Sequence, residues 1–163
     1  MAVRFFSDGV SFQPEGKRKI SHWLKQVIAE EGKKTGLLQY VFVSDEIILD
    51  INKKYLQHHD YTDIITFDDS IGNTISGEMY VSIDTILSNA KDYQVDFCNE
   101  LLRVMVHGLL HLCGYKDATA QEQQEMRAAE DKYLEDYANL NFTKHIMQKK
   151  VLYQSHQDNK MVD

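Results

Sequence analysis

Two histidines four residues apart, His107 and His111, open the run HGLLHLCGYKD, which closes on Asp117. On a helix, residues i and i+4 lie one turn apart on one face, so both imidazoles can reach a single point. A zinc ion takes His nitrogens and carboxylate oxygens at about 2.0–2.1 Å in a tetrahedron, and a catalytic site keeps the fourth position open for water. Gly114 can adopt the left-handed conformation that ends a helix, and the returning chain can then bring Asp117 to the same point. The alternative is an apolar core helix that contains two satisfied histidines, with Asp117 capping the next helix. Imidazoles among leucines are costly without partners, and Thr119 is the better placed cap. Cys113 falls on a different face from His111 and reads as core. In zinc peptidases a glutamate general base follows the first histidine; here that place is Gly108, which disfavours peptide hydrolysis.

These residues need a helix to carry them. From Asp96, a predicted N-cap, the residues Phe97, Leu101, Val104, Met105, Leu109 and Leu112 are apolar nearly all round, the pattern of a central buried helix. Before it, VRFF (Val3–Phe6) reads as a strand, and the helical periodicity between Pro14 and Glu31 stops at Gly32. LLQYVFVS (Leu37–Ser44) reads as a second strand, so the first part of the chain suggests a βαβ crossover. Ser44 or Asp45 then caps a short helix through Ile47, Ile48, Ile51 and Tyr55. DIITF (Asp63–Phe67) and GEMYVSI (Gly77–Ile83) read as an antiparallel pair joined by a turn-rich segment. Asp84 is expected to open a helix to about Tyr93. A T-x-x-E capping box at Thr119–Glu122 starts the last helix, which runs to about Leu140. The expected fold is α+β: a single domain over residues 1–142, with a small mixed β-sheet of about four strands packed by helices. Residues 143–163 form a polar tail expected to be partly frayed.

At 163 residues the chain can bury one substantial core. No apolar run approaches the roughly 20 residues of a membrane span, and the N-terminus lacks the basic-then-apolar order of a signal peptide. Cys98 and Cys113 do not form a disulfide framework, so a reducing cytoplasm is the expected compartment. The net charge is −7, but residues 61–140 hold fifteen acidic against five basic residues, while residues 1–60 are nearly balanced. A nucleic-acid contact would therefore use the lysines of the first sixty residues, at Gly16–Lys19, Lys25, Lys33–Lys34 and Lys53–Lys54. The same lysines equally suit exposed, solvated helix faces.

The run His107–Asp117 closely resembles the signature of the YbeY-type endoribonucleases, the rRNA maturation factors. INKKYLQHHDYTDIITF (Ile51–Phe67) and SGEMYVSID (Ser76–Asp84) resemble two further blocks of that family, in the same order and spacing. The resemblance implies a metal-bearing cleft on an α+β fold and one zinc per chain. It also implies single-strand-specific cleavage of ribosomal RNA at the 3′ end of 16S rRNA, and a part in ribosome quality control. The implied partners are ribosomal RNA and the small ribosomal subunit; neither DNA nor a membrane is expected. The chain departs from the family at two positions: Asp117 stands where a third histidine is common, and Leu56 where an arginine often follows the tyrosine. A carboxylate oxygen binds zinc at a similar distance but makes it a weaker Lewis acid. Lys54, His58 and His59 are the candidates to replace the arginine in substrate binding.

Catalysis would then run through His107, His111 and Asp117 by way of the metal, with Asp63 orienting the site or merely capping its loop. Tyr55, Tyr61 and Tyr115 are the aromatics close enough in sequence to stack on bases. Two alternatives stand beside this reading: a ribosome-associated RNA-binding factor with a structural metal, and a metallopeptidase.

Overall fold

Alternating apolar residues build a sheet that is covered on one face and partly covered on the other. The computed structural model describes residues 2–56 and 62–140. Strand β1 (Ala2–Asp8) pairs in parallel with β2 (Lys34–Val43), and β2 pairs in parallel with β4 (Thr74–Ser82). Strand β3 (Ile64–Asp68) runs antiparallel to β4 at the edge, giving the order β1-β2-β4-β3. Leu38, Tyr40 and Phe42 of β2 and Ile75, Met79 and Val81 of β4 enter the main core. The opposite face carries a smaller cluster of Val43, Ile48 and Ile65 beneath α2 (Asp45–Tyr55). On that second face Arg4, Phe6 and Asp8 of β1 stay exposed, so burial there is confined to the strands beneath α2.

Helix α1 (Lys17–Glu30) follows β1 and supplies Ile20, Trp23, Leu24, Val27 and Ile28 to the main core. Helices α3 (Ile83–Tyr93), α4 (Phe97–Leu112) and α5 (Ala120–Asn139) complete the single α+β domain. Among the described residues no helix is long and apolar enough to cross a membrane.

Several boundaries differ from the sequence expectation, each for a local reason. Helix α1 begins at Lys17, not Pro14, because Gly16 takes a left-handed conformation (φ 71°) just before it. Strand β4 begins at Thr74 because Ile75 and Gly77 continue the alternation, and the reversal is confined to Ile71–Thr74. Helix α3 opens one residue early because the Ser82 hydroxyl accepts from Thr85 N at 3.2 Å. Asp84 instead accepts the backbone N–H of Asp45, tying α3 to the start of α2.

Helix α4 lies close against the strands because two glycines leave room for it. A Cβ at Gly108 would stand 2.6 Å from the Ile64 side chain and 3.1 Å from the Met79 sulfur. At Gly77 it would meet the Phe67 carbonyl oxygen at 2.7 Å and Leu112 at 3.0 Å. The buried Tyr40 hydroxyl donates to the Met105 carbonyl at 2.9 Å, fixing α4 over β2. Gly77→Ala is therefore expected to cost about 1–3 kcal/mol through overpacking, read as a lower urea midpoint at unchanged slope. An unchanged midpoint would mean that α4 and β3 yield freely around position 77.

Candidate metal centre

His107 and His111 project from the last turns of α4, and Asp117 returns to them after a tight helix stop. Gly114, at φ 107°, ends the helix. Gly114 N–H bonds the His111 carbonyl and Tyr115 N–H bonds the Leu110 carbonyl, both at 3.0 Å, as in a Schellman motif. The Asp117 carboxylate is free to face the histidines because Thr119 caps α5, with Glu122 completing the capping box. His107 Nε2 and His111 Nε2 are 3.0 Å apart, and Asp117 Oδ2 lies 3.4 and 3.2 Å from them. A tetrahedron with arms of 2.0–2.1 Å has edges of about 3.3–3.4 Å. The three atoms thus span close to one face of the polyhedron that a zinc-sized ion needs.

The outer nitrogen of each ring fixes what the inner one offers. His111 Nδ1 lies 3.0 Å from the Tyr115 carbonyl, which can only accept, so Nδ1 carries the hydrogen. His107 Nδ1 donates to Glu130 Oε2 at 2.6 Å. With both rings neutral, two Nε2 lone pairs and a carboxylate oxygen converge on one point. A proton can bridge one pair of them, whereas a metal ion satisfies all three. Carboxylate and carbonyl partners behind metal-binding histidines are the usual way that rings are oriented and made more basic. The residues therefore fit a metal ion.

The surroundings are acidic and partly dry. Burial disfavours a charged His107, but the hydrogen bond and charge of Glu130, with Asp63 and Asp117, outweigh it and raise its pKa. Burial also raises the Asp63 carboxyl, against the opposing influence of His107 and of backbone hydrogen bonds at Asp63 and Ile64. Glu130 is itself only 5% exposed and is held from behind by Arg103 Nη1 at 3.0 Å. An open groove of about 600 Å³ leads to the centre between β3 and the end of α2, lined by Asn52, Leu56, Asp63 and Thr66.

The profile of the endoribonuclease YbeY family matches residues 7–138. The chain belongs to that family. A Bacteroides thetaiotaomicron protein named endoribonuclease YbeY is 46% identical over 134 residues, 82% of this chain and 98% of that one. A Parabacteroides distasonis protein of the same name is 43% identical over 134 residues, covering 82% of this chain and 94% of its own. A Thermotoga maritima protein solved in solution superposes with a TM-score of 0.59 at 26% identity, over 83% of this chain and 89% of that one.

Of the residues that sequence singled out, His107, His111 and Asp117 come together, and Asp63 lines the same groove. Lys54 is exposed, pairs with Asp50 at 3.1 Å, and does not line the groove, although Asn52 of its helix and the C-cap Leu56 do. Tyr55 is 68% exposed with its ring edge-on to Phe67, while the Tyr115 hydroxyl donates to Glu31. His58, His59 and Tyr61, like the tail 143–163, lie outside the described residues. Glu130 was missed by sequence reading. Its one signal was a carboxylate on the buried stripe Met126, Glu130, Tyr133, an unfavourable place unless it is paired.

Glu130→Gln removes the charge behind His107 and keeps the shape. Metal affinity in this YbeY-family protein is then expected to fall about 10–100-fold, measured by competition with a chromophoric chelator. An unchanged affinity would mean that Glu130 serves packing alone.

Proposed function

We propose that the chain is a zinc-dependent endoribonuclease that cuts single-stranded RNA during the maturation of ribosomal RNA. The observation that carries the reading is the convergence of three oriented donors at the floor of an open groove, in a chain whose relatives share the name endoribonuclease. His107, His111 and Asp117 would hold one zinc per chain; two imidazoles and a carboxylate suit this borderline ion. When bound, zinc supplies a Lewis acid for a phosphoryl oxygen and lowers the pKa of water toward about 7.

The chain's own residues do the rest. Glu130 and the Tyr115 carbonyl keep both Nε2 lone pairs aimed inward. Asp63, with its raised pKa and its place in the groove, can hold a proton beside the reacting phosphate or orient the attacking oxygen. Ile64, Ile65, Leu56 and Leu112 line the groove with apolar surface, which strengthens electrostatic contacts inside it. Gly108 leaves no side chain where a peptidase keeps its glutamate, and the close approach of Ile64 leaves no room for one. Lys54 on α2, outside the groove lining, is proposed as an RNA contact, as are His58 and His59. The proposed partners are ribosomal RNA near the 3′ end of 16S rRNA and the small subunit, in the cytoplasm, with a role in ribosome quality control.

His111→Ala should lose both bound metal and cleavage of an rRNA fragment with a single-stranded 3′ extension. Loss of several kcal/mol of transition-state stabilisation corresponds to about three orders of magnitude in rate. Cleavage at the wild-type rate by a metal-depleted variant would contradict the proposal. Asp63→Asn should retain metal and slow cleavage by about 10² or more; an undiminished rate would remove Asp63 from the chemistry. Wild type that holds metal and binds RNA but does not cut it would favour the RNA-binding factor.

A further inference from the structure

A second groove, of about 720 Å³, meets the first at the candidate centre; both include Asp63, His107 and Asp117. It runs between α4 and α5 past the α3–α4 connection. A strand laid across the centre to occupy the first groove continues into the second. We infer that this second groove receives the RNA on one side of the cut, and that Arg127 holds a backbone phosphate there. The inference rests on the endoribonuclease reading and names a contact that this reading leaves open.

The charge distribution selects Arg127. Among the described residues, those lining the first groove include no Lys or Arg, whereas the second contains Arg103 and Arg127. These two arginines are in different states. Arg103 has a side chain 16% exposed and is engaged by both terminal nitrogens, with Nη1 on Glu130 at 3.0 Å and Nη2 on Asp131 at 2.8 Å. Its charge holds Glu130 in place behind His107. Arg127 is 65% exposed, and its ion-pair distances to Glu130 and Asp131 are both 3.9 Å, beyond hydrogen-bonding reach. Its guanidinium fork is thus available to a ligand and matches phosphate geometry.

The acids nearby do not cancel that role. Glu130 and Asp131 already share Arg103, and Asp117 faces the histidines. Glu100 also lines the groove but is only 5% exposed. Glu130 links Arg127 to the centre: one carboxyl oxygen bonds His107 and the other lies nearest Arg127. A phosphate on Arg127 would therefore lie in the groove that His107 also lines. Tyr93, 64% exposed, and Val95 form the outer rim of the same groove and give a base an apolar surface to stack on.

The test is equilibrium binding of a labelled single-stranded RNA oligonucleotide to the metal-loaded full chain between 50 and 200 mM salt. Arg127→Ala should bind about tenfold more weakly at the low-salt end, with its log–log salt slope shallower by about 0.7, the share of one phosphate contact on a single strand. In cleavage, the loss should sit in KM rather than kcat. Arg127→Lys should restore most of the slope, while Tyr93→Ala should lower affinity and leave the slope unchanged. If wild type binds and cuts RNA while Arg127→Ala matches it in affinity, slope and KM, the inference is wrong and the endoribonuclease reading stands. If wild type neither binds nor cuts single-stranded RNA, that reading falls and takes the inference with it.

Discussion

Three electron-rich atoms held within 3.4 Å of one another repel unless a cation lies among them, and the C-terminal half of the domain is organised to hold them there. Each histidine is denied rotation by a partner on its outer nitrogen, and each partner is fixed by something else. Arg103 secures Glu130, while the helix-ending motif at Gly114 secures the Tyr115 carbonyl. The helix stop thus both turns the chain toward Asp117 and supplies the acceptor that orients His111. Such a convergence of lone pairs suits an ion of opposite charge.

The sheet supports that constraint by giving α4 a rigid bed. Gly77 and Gly108 let the helix come close, and the hydrogen bond from Tyr40 to Met105 sets its position. Because β3 is the edge strand, the face beside it stays open, and a groove runs along Ile64–Thr66 to the histidines. A centre built deeper, over β2, would be closed to a polymer. The edge position reconciles rigid ligands with access for a long substrate.

The local parts of this arrangement were legible in the sequence. The His107–His111 spacing, the glycine stop and the Thr119 capping box depend on residues a few positions apart, where helical geometry alone decides. The strand and helix order followed from periodicity for the same reason. Glu130 and Arg103 were not legible as a pair, because they meet only when α5 packs on α4, twenty-seven residues apart. The same packing makes Arg127 more accessible than Arg103, although one charged residue looks like another in the sequence. Lysine clusters in the first sixty residues drew attention by composition. The described lining of the second groove instead takes its cations from α4 and α5, within the acidic part of the chain.

The central claim is that a metal held by His107, His111 and Asp117 is what makes this protein a nuclease. The most direct test measures single-turnover cleavage of a single-stranded RNA by protein stripped of metal with a chelator and then titrated with zinc. Cleavage should vanish in the stripped protein and return in proportion to zinc, saturating at one ion per chain. Stripped, folded protein that cuts at the untreated rate would contradict the claim.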